Sequence, residues 1–302
     1  MAMSEARLML FDTASMYFRA FHALPTSMRA VDGRPVNAVR GLLDFIARFV
    51  GQYSPTHVAC CWDESWRPAW RVELLPSYKA HRVAHDDVET VPEELDAQVP
   101  LIREVLAALG LPVVGAPDCE ADDIIGTLAA RATMPCDVVT GDRDLFQVVD
   151  DSRAVRVLYL GRGVANHDRV DAAWVLAKYG VESSAYVDFA VLRGDPSDGL
   201  PGVPGIGDKT AASLVRAHGD LDGIVTAAQQ GRLAPRAAAS LASSIDYLAA
   251  AREVVAVATD VSLPPVSLEL PHSPVDPDAF SRLRTELALG GSADRILAAL
   301  HP

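Results

Sequence analysis

Short apolar runs of strand length alternate with helix-periodic segments over the first half of the chain. "ARLMLFD" at 6–12, "HVACCWD" at 57–63 and "CDVVTGD" at 136–142 predict strands that end on or run into Asp12, Asp63 and Asp142. "LPVVGAP" predicts a short strand and turn, and "AVRVLYL" a further strand. Between them, "RGLLDFIARFV" at 40–50, "PLIREVLAALG" at 100–110 and "EADDIIGTLAARA" are helical. Gly110 closes the second of these, and the third sets Ala121, Ile124, Ile125 and Leu128 on one face. Strands that alternate with helices predict an α/β domain with a mostly parallel sheet. After about residue 167 the strand signals fade. "DAAWVLAKYG", "AYVDFAVLRG" and "KTAASLVRAHG" are helical, and Ala-rich helical stretches follow. "LPPVSLELPHSPVDP" is a Pro-rich connector predicted to be extended.

With 302 residues, half of them apolar, the chain can bury a sizeable core in one large domain or two smaller ones. Cys60, Cys61, Cys119 and Cys136 form no C-x-x-C pair, so neither a zinc site nor a disulfide framework is indicated and a reduced, cytoplasmic setting is expected. The first residues lack the long apolar stretch of a signal peptide, and no run of ~18 apolar residues marks a membrane span. The formal net charge of −13 argues against a nucleic-acid partner unless something local answers it.

The acidic residues are not scattered. Asp12 and Asp63 directly follow apolar strands, Asp142 and Asp144 follow "CDVVTG" in the same way, and "DCEADDII" at 118–125 opens a helix. The strands of a parallel sheet deliver their C-terminal ends to one edge, where sites form. Asp195 and Asp198 add two more acids in "RGDPSDG". Each has an ordinary alternative as a turn former or helix cap, and Asp118 reads as a cap. Recurrence at the same end of successive strands is not explained by turn chemistry. Gathered carboxylates repel and raise one another's pKa, and oxygen ligands without paired His or Cys suit Mg²⁺ or Mn²⁺. More acids than one ion needs suggests two ions, the arrangement that serves phosphoryl transfer.

Two further segments point to a polyanion. "GLPGVPGIGDKTAASLV" at 199–215 carries Gly202, Gly205 and Gly207 between two helices, followed by Lys209 and Thr210. Such a turn brings backbone N–H groups and a helix N-terminus to a phosphate without reading bases. "RPAWRVELLPSYKAHR" at 67–82 holds four Lys or Arg against one Glu, with Trp70 and Tyr78 interleaved and Trp66 just ahead. Aromatics among basic residues suit stacking on bases and contact with phosphates, so this run answers the net charge locally.

The chain resembles the bacterial 5′-nuclease family, the flap endonuclease/5′–3′ exonuclease group that also forms the N-terminal domain of DNA polymerase I. The resemblance rests on "FDTASMYFRAFHALP", "WDESWRPAWRVELLPSYKAHR", "DCEADDIIGTLA", "VVTGDRDLFQVV" and "LRGDPSDGLPGVPGIGDKTAASLV", in family order over about 11–216. It implies a PIN-like nuclease core over 1–184 with a helical arch near 67–95. It also implies a helical DNA-binding region over 185–302 that contains a helix–three-turn–helix at about 186–220. It places Asp12, Asp63, Glu120, Asp122 and Asp123 around a first metal ion, and Asp142, Asp144, Asp195 and Asp198 around a second. Lys79 and Arg82 match the basic pair that contacts the scissile phosphate region, Tyr78 an aromatic near the arch base, and Arg19 a substrate-phosphate contact. The Gly-rich turn matches one that grips duplex DNA and often holds K⁺ through carbonyls. Thr13, Phe21, Trp62 and Glu64 depart from the family pattern without removing a carboxylate.

The resemblance implies metal-dependent hydrolysis of phosphodiesters at a 5′ flap, nick or free 5′ end. The products carry a 5′-phosphate and a 3′-hydroxyl, as in primer and flap removal by a monomeric, stand-alone enzyme, with RNA primer ends among the expected substrates. Alternatives are a PIN-type ribonuclease, which needs neither the arch nor the Gly-rich hairpin, and a non-catalytic DNA-binding module, for which the carboxylate set would only repel DNA. A haloacid-dehalogenase-type phosphatase would place Asp two residues after Asp12, where Ala14 stands.

Overall fold

All five residues of β1 (Leu8–Asp12) are buried, which is what an apolar run covered on both faces requires. The structure, a computed structural model, describes residues 6–84 and 89–301. After β1 come α1 (Thr13–Ala23), α2 (Asn37–Tyr53), β2 (His57–Cys61), α3 (Ala69–Leu74), α4 (Glu93–Asp96) and α5 (Val99–Leu109). Then follow β3 (Val113–Val114), α6 (Ala121–Arg131), β4 (Cys136–Thr140), β5 (Val155–Tyr159) and β6 (Asp168–Val170). The six strands form one sheet in the order β3-β2-β1-β4-β5-β6. β1 is central, parallel to β2 on one side and β4 on the other, with Leu8 opposite His57 and Cys136. Only β6, which the sequence pattern did not signal, runs antiparallel. The chain builds outward from β1 in one direction and then in the other, so the strand order reverses between β1 and β4. That reversal opens a crevice at the C-terminal strand ends.

Apolar clusters cover both faces of the sheet. Ile124 and Ile125 of α6 join Phe146, Tyr186 and Phe189 on one face. Leu42, Ile46 and Phe49 of α2 join Ile102 and Val105 of α5 on the other. Ala121 is buried with Ile124 and Ile125 as the helical period predicts, and Leu128 packs against the same cluster half-buried. Gly110 closes α5 in the left-handed conformation at φ 80°.

The helical region contains α7 (Ala172–Tyr179), α8 (Tyr186–Arg193), α9 (Asp208–His218), α10 (Leu221–Gln229), α11 (Pro235–Ala242) and α12 (Ile245–Val255). Its expected extent, 185–302, is too long. β3 covers only Cys60 and Cys61 of β2. The Pro-rich connector fills the rest of that edge: Val58 N donates to Leu268 O at 2.7 Å and Leu270 N to Thr56 O at 2.9 Å. Beyond it, α13 (Pro277–Glu286) packs on α5, and α14 (Gly291–Leu300) on α2. Phe280, Leu283, Ile296 and Leu300 thereby complete the core cluster begun by α2 and α5.

The expected arch near 67–95 is only partly helical among the described residues; residues 85–88 lie outside them. It consists of α3, a 3₁₀ turn at Ala80–Arg82, and an antiparallel bridge between Val83 and Glu89. No helix among the described residues is long and apolar enough to cross a membrane.

Ile296 is fully buried against α2. Ile296→Ala should therefore cost about 2–5 kcal/mol in a urea titration, as deletion of a buried branched side chain does. A loss under about 0.5 kcal/mol, the surface-substitution range, would show that the C-terminal helices do not belong to the core.

Candidate metal centre

Three strand ends set the carboxylates. Asp12 is the last residue of β1, and its Oδ1 accepts from Ser15 N at 3.1 Å. Its Oδ2 accepts from the Thr140 hydroxyl at 2.6 Å, and Asp142 N donates to that same hydroxyl at 2.8 Å. Thr140, the last residue of β4, thus ties two acids on neighbouring strands together. Asp63, two residues past β2, accepts from Ala121 N at 2.6 Å and so fixes the start of α6 against the sheet edge. Glu120 precedes α6 and Asp122 lies in its first turn. Asp12, Asp63, Glu120, Asp122 and Asp142 line one cavity of about 1000 Å³, together with Lys79 and Arg82.

The electrostatics of this edge are unfavourable to ionised acids. Burial pushes Asp12 and Asp142 above the usual carboxylate range. Burial, then Asp142 and Asp12, push Asp122 well above it; burial, then Asp142 and Asp198, do the same to Asp144. Asp63 is raised to about 7 by burial and then by Glu120. Oδ1 of Asp144 is buried without a hydrogen-bond partner. Hard oxygen donors, unmet negative charge and an orphaned carboxylate oxygen fit a divalent cation. Among the described residues no three His, Cys, Asp or Glu side chains are closed into coordination geometry. The acids converge on a cavity rather than on a finished chelate.

The remaining acids are neutralised internally. Asp195 Oδ2 accepts from Arg143 at 2.8 Å. Burial raises the Asp195 pKa, but Ser197 and Arg143 outweigh it and leave the carboxyl below its ordinary value. Asp198 accepts from Arg82 at 2.9 Å. Neither of these nor Asp144 lines the cavity. Asp123, expected beside the first ion, is turned away from it. Its carboxylate is forked by Arg71 at 2.7 and 2.9 Å and also accepts from Glu120 N at 3.1 Å and Ala258 N at 3.0 Å. The cap expected of Asp118 belongs to Glu120, and Asp118 precedes it in a left-handed conformation at φ 55°.

Tyr78, expected to meet DNA, is 5% exposed, and its hydroxyl donates to Glu120 at 2.8 Å. It is a core residue of the site, not a stacking platform. The basic run around it faces inward as well: Arg71 pairs with Asp123 and Glu120, Lys79 with Glu120, and Arg82 with Asp198. Arg71 and Thr140 carry the site's architecture, and the sequence reading assigned neither. The only signal for Thr140 was a hydroxyl residue at a strand end one position before Gly141-Asp142.

The Gly-rich turn joins α8 to α9 within the expected 186–220. Gly202 is buried, its N–H donates to the Tyr247 hydroxyl at 3.0 Å, and a Cβ there would fall 2.5 Å from Arg193 O. It serves the close approach of two backbone segments, not a phosphate. Gly205 (φ 80°) and Gly207 are exposed with open space around them, and Lys209 and Thr210 are exposed in the first turn of α9. Arg19, on α1, reaches the loop that carries Asp142: a Cβ at Gly141 would sit 3.0 Å from its Nη2. Arg19 Nε is buried without a partner. Glu64 pairs with Arg103, which lies 4.5 Å over the Trp62 ring, so these two departures from the family pattern form one packed unit beside Asp63.

Residues 7–180 match the family described as 5′-3′ exonuclease, N-terminal resolvase-like domain, and residues 181–278 match 5′-3′ exonuclease, C-terminal SAM fold. A 5′-3′ exonuclease of Streptomyces coelicolor is 55% identical over 299 residues, which cover 97% of this chain and 99% of the relative. The DNA polymerase I of Mycobacterium bovis is 39% identical over 303 residues, covering 98% of this chain and 32% of the polymerase. Among solved structures, bacteriophage T5 D15 protein co-crystallised with metal ions superposes with a TM-score of 0.63 at 16% identity, covering 97% of this chain and 98% of that one. Human GEN1 in complex with Holliday junction DNA superposes with a TM-score of 0.65 at 18% identity, covering 97% of this chain and 71% of that one. At such identities the two structures speak for the fold. The family matches and the full-length relative go further: the chain belongs to the 5′–3′ exonuclease family.

Proposed function

We propose that the chain is a divalent-metal-dependent, structure-selective 5′-nuclease that cuts DNA at a 5′ flap, nick or free 5′ end. The observation that carries this reading is the convergence of Asp12, Asp63, Glu120, Asp122 and Asp142 on one cavity that Lys79 and Arg82 also line. The first four acids would hold one ion; Asp142, with Asp144, Asp195 and Asp198 beyond it, would hold a second. Mg²⁺ and Mn²⁺ suit this all-oxygen set. Bound ions supply an activated water and charge neutralisation for in-line hydrolysis to a 5′-phosphate and a 3′-hydroxyl. The protein's share is positional. Thr140 fixes Asp12 and Asp142 relative to each other, and Asp63 fixes α6. Lys79 and Arg82 bring positive charge to the phosphate. Arg19 approaches the same loop from α1.

Duplex is held by the exposed part of the Gly-rich turn, where Gly205 and Gly207 admit a backbone phosphate and Lys209 and Thr210 flank it. The exposed carbonyls of that turn suit K⁺. Contacts of this kind track the backbone, so RNA primer ends fit as well as DNA. One chain supplies every acid, and the reading needs only a monomer. Removal of primers and flaps during replication and repair is the role that follows.

On a 5′-labelled flap duplex with Mg²⁺ or Mn²⁺, the wild type should cut near the junction. Asp142→Asn should lose more than about 100-fold in rate, beyond what outer-sphere partners of a metal cost, while binding persists. Full activity in Asp142→Asn, or activity of the wild type in EDTA, would refute the metal assignment. Lys209→Ala should weaken binding alike for all sequences and lower the salt slope by about 1 in a fluorescence titration. An unchanged slope would remove Lys209 from the interface.

The raised carboxyls also set a pH dependence. A carboxyl whose folded pKa lies above its unfolded value binds more protons folded than unfolded, so stability falls as pH climbs between the two. With Asp63 raised from 3.8 to about 7, the melting temperature in EDTA should fall between about pH 4 and 7, and millimolar Mg²⁺ should recover much of the loss. A melting temperature that rises over that interval in EDTA would contradict the electrostatics described here.

A further inference from the structure

Glu120 has two cations where a single carboxylate needs one. Its Oε2 accepts from Arg71 Nη1 and from the Tyr78 hydroxyl, and its Oε1 accepts from Lys79 Nζ. The two cations are held differently. Arg71 is 2% exposed; it forks Asp123, its Nε donates to Val254 O near the end of α12 at 3.0 Å, and it lies 4.5 Å over the Trp70 ring. It is fixed by α6, α12 and its own helix at once. The Lys79 side chain is 14% exposed and lines the acidic cavity, and its one other acceptor is Trp66 O at 3.3 Å. A planar fork locked from three sides differs from an ammonium on a flexible stem in what it can afterwards do.

We propose that Arg71 is a positioning residue, the permanent counter-charge of Glu120 that allows Lys79 to leave this carboxylate for a phosphate in the cavity. The proposal rests on the nuclease reading above. Glu120 is 4% exposed, and a carboxylate so deeply buried needs a partner at close range. With Arg71 in place it remains paired when Lys79 departs, and the oxygen that Lys79 vacates becomes open to a divalent ion. Arg71, Lys79, Glu120 and Asp123 form a neutral set of four. Loss of Lys79 from this set leaves one negative charge facing the cavity. Without Arg71, Lys79 would be the sole cation on Glu120 and would stay there.

Ca²⁺ binding measured by calorimetry on wild type and Lys79→Met reads the hand-over without catalysis. Removal of the competing ammonium should tighten Ca²⁺ binding by about tenfold, and equal or weaker binding overturns the proposal. A second arm uses Arg71→Gln with Asp123→Asn, which replaces the ion pair by an amide pair, leaves no uncompensated charge at 123 and is checked for folding by its melting temperature. On the flap duplex its kcat should fall by about tenfold or more with KM unchanged, and adding Lys79→Met should bring no further fall. A raised KM, or losses that multiply, overturns the positioning role. Should the amide-pair variant not fold, the Ca²⁺ comparison decides alone. Absence of metal-dependent cleavage by the wild type would defeat the nuclease reading and leave the Ca²⁺ comparison standing.

Discussion

Burying many carboxylates at one sheet edge is the constraint around which this molecule is organised. The protein meets it in two ways. Glu120, Asp123, Asp195 and Asp198 receive cations from within the chain: Arg71, Lys79, Arg143 and Arg82. Among the described residues Asp12, Asp122, Asp142 and Asp144 have no ion-pair partner, and their ionised forms are disfavoured. Asp12, Asp122 and Asp142 of this group line the cavity beside the strand reversal, where a ligand can reach them. The neutralised group braces it from α6 and from the turn after α8.

That division changes how the acidity of the chain is to be understood. The basic run at 67–82 has the composition of an outward patch for a polyanion, but Arg71, Lys79 and Arg82 are committed to carboxylates. Under the proposed function, the exposed turn at Gly205–Thr210 and ions held in the cavity would add to the attraction for DNA. Affinity built on phosphate contacts of this kind would depend strongly on salt.

The sheet was legible because short unbroken apolar runs such as "LMLF" and "HVACC" have strand length and suit burial on both faces, and because an acid lies at or just past the end of each. β6 was not, since Asp168 and Arg169 give an edge strand no apolar signature. The convergence of Asp12, Asp63 and Asp142 followed from parallel topology alone. The orientation of Asp123 did not. A one-residue step along α6 turns a side chain by about 100°, and whether Asp122 or Asp123 faces the cavity depends on where Arg71 lies in space. The burial of Tyr78 and Arg71 is invisible in the sequence for a related reason: a buried aromatic or arginine has the same letter as an exposed one. The return of α13 and α14 to α2 and α5 escaped notice because an amphipathic period shows that a face is covered but not by what.

The path of the connector across β2 makes the helical region an insertion. The chain leaves the α/β core before α7, builds the hairpin of α8 and α9, and re-enters the core through the strand-like pairing of Leu268 and Leu270. A domain joined at one end explores a wide volume around its linker; one stitched in at both ends is confined to a narrow one. The Gly-rich turn and the edge that carries the acids are thus kept at a set spacing before any substrate arrives. If the turn holds duplex as proposed, that spacing would act as a ruler, setting how many nucleotides separate the held backbone from the bond to be cut.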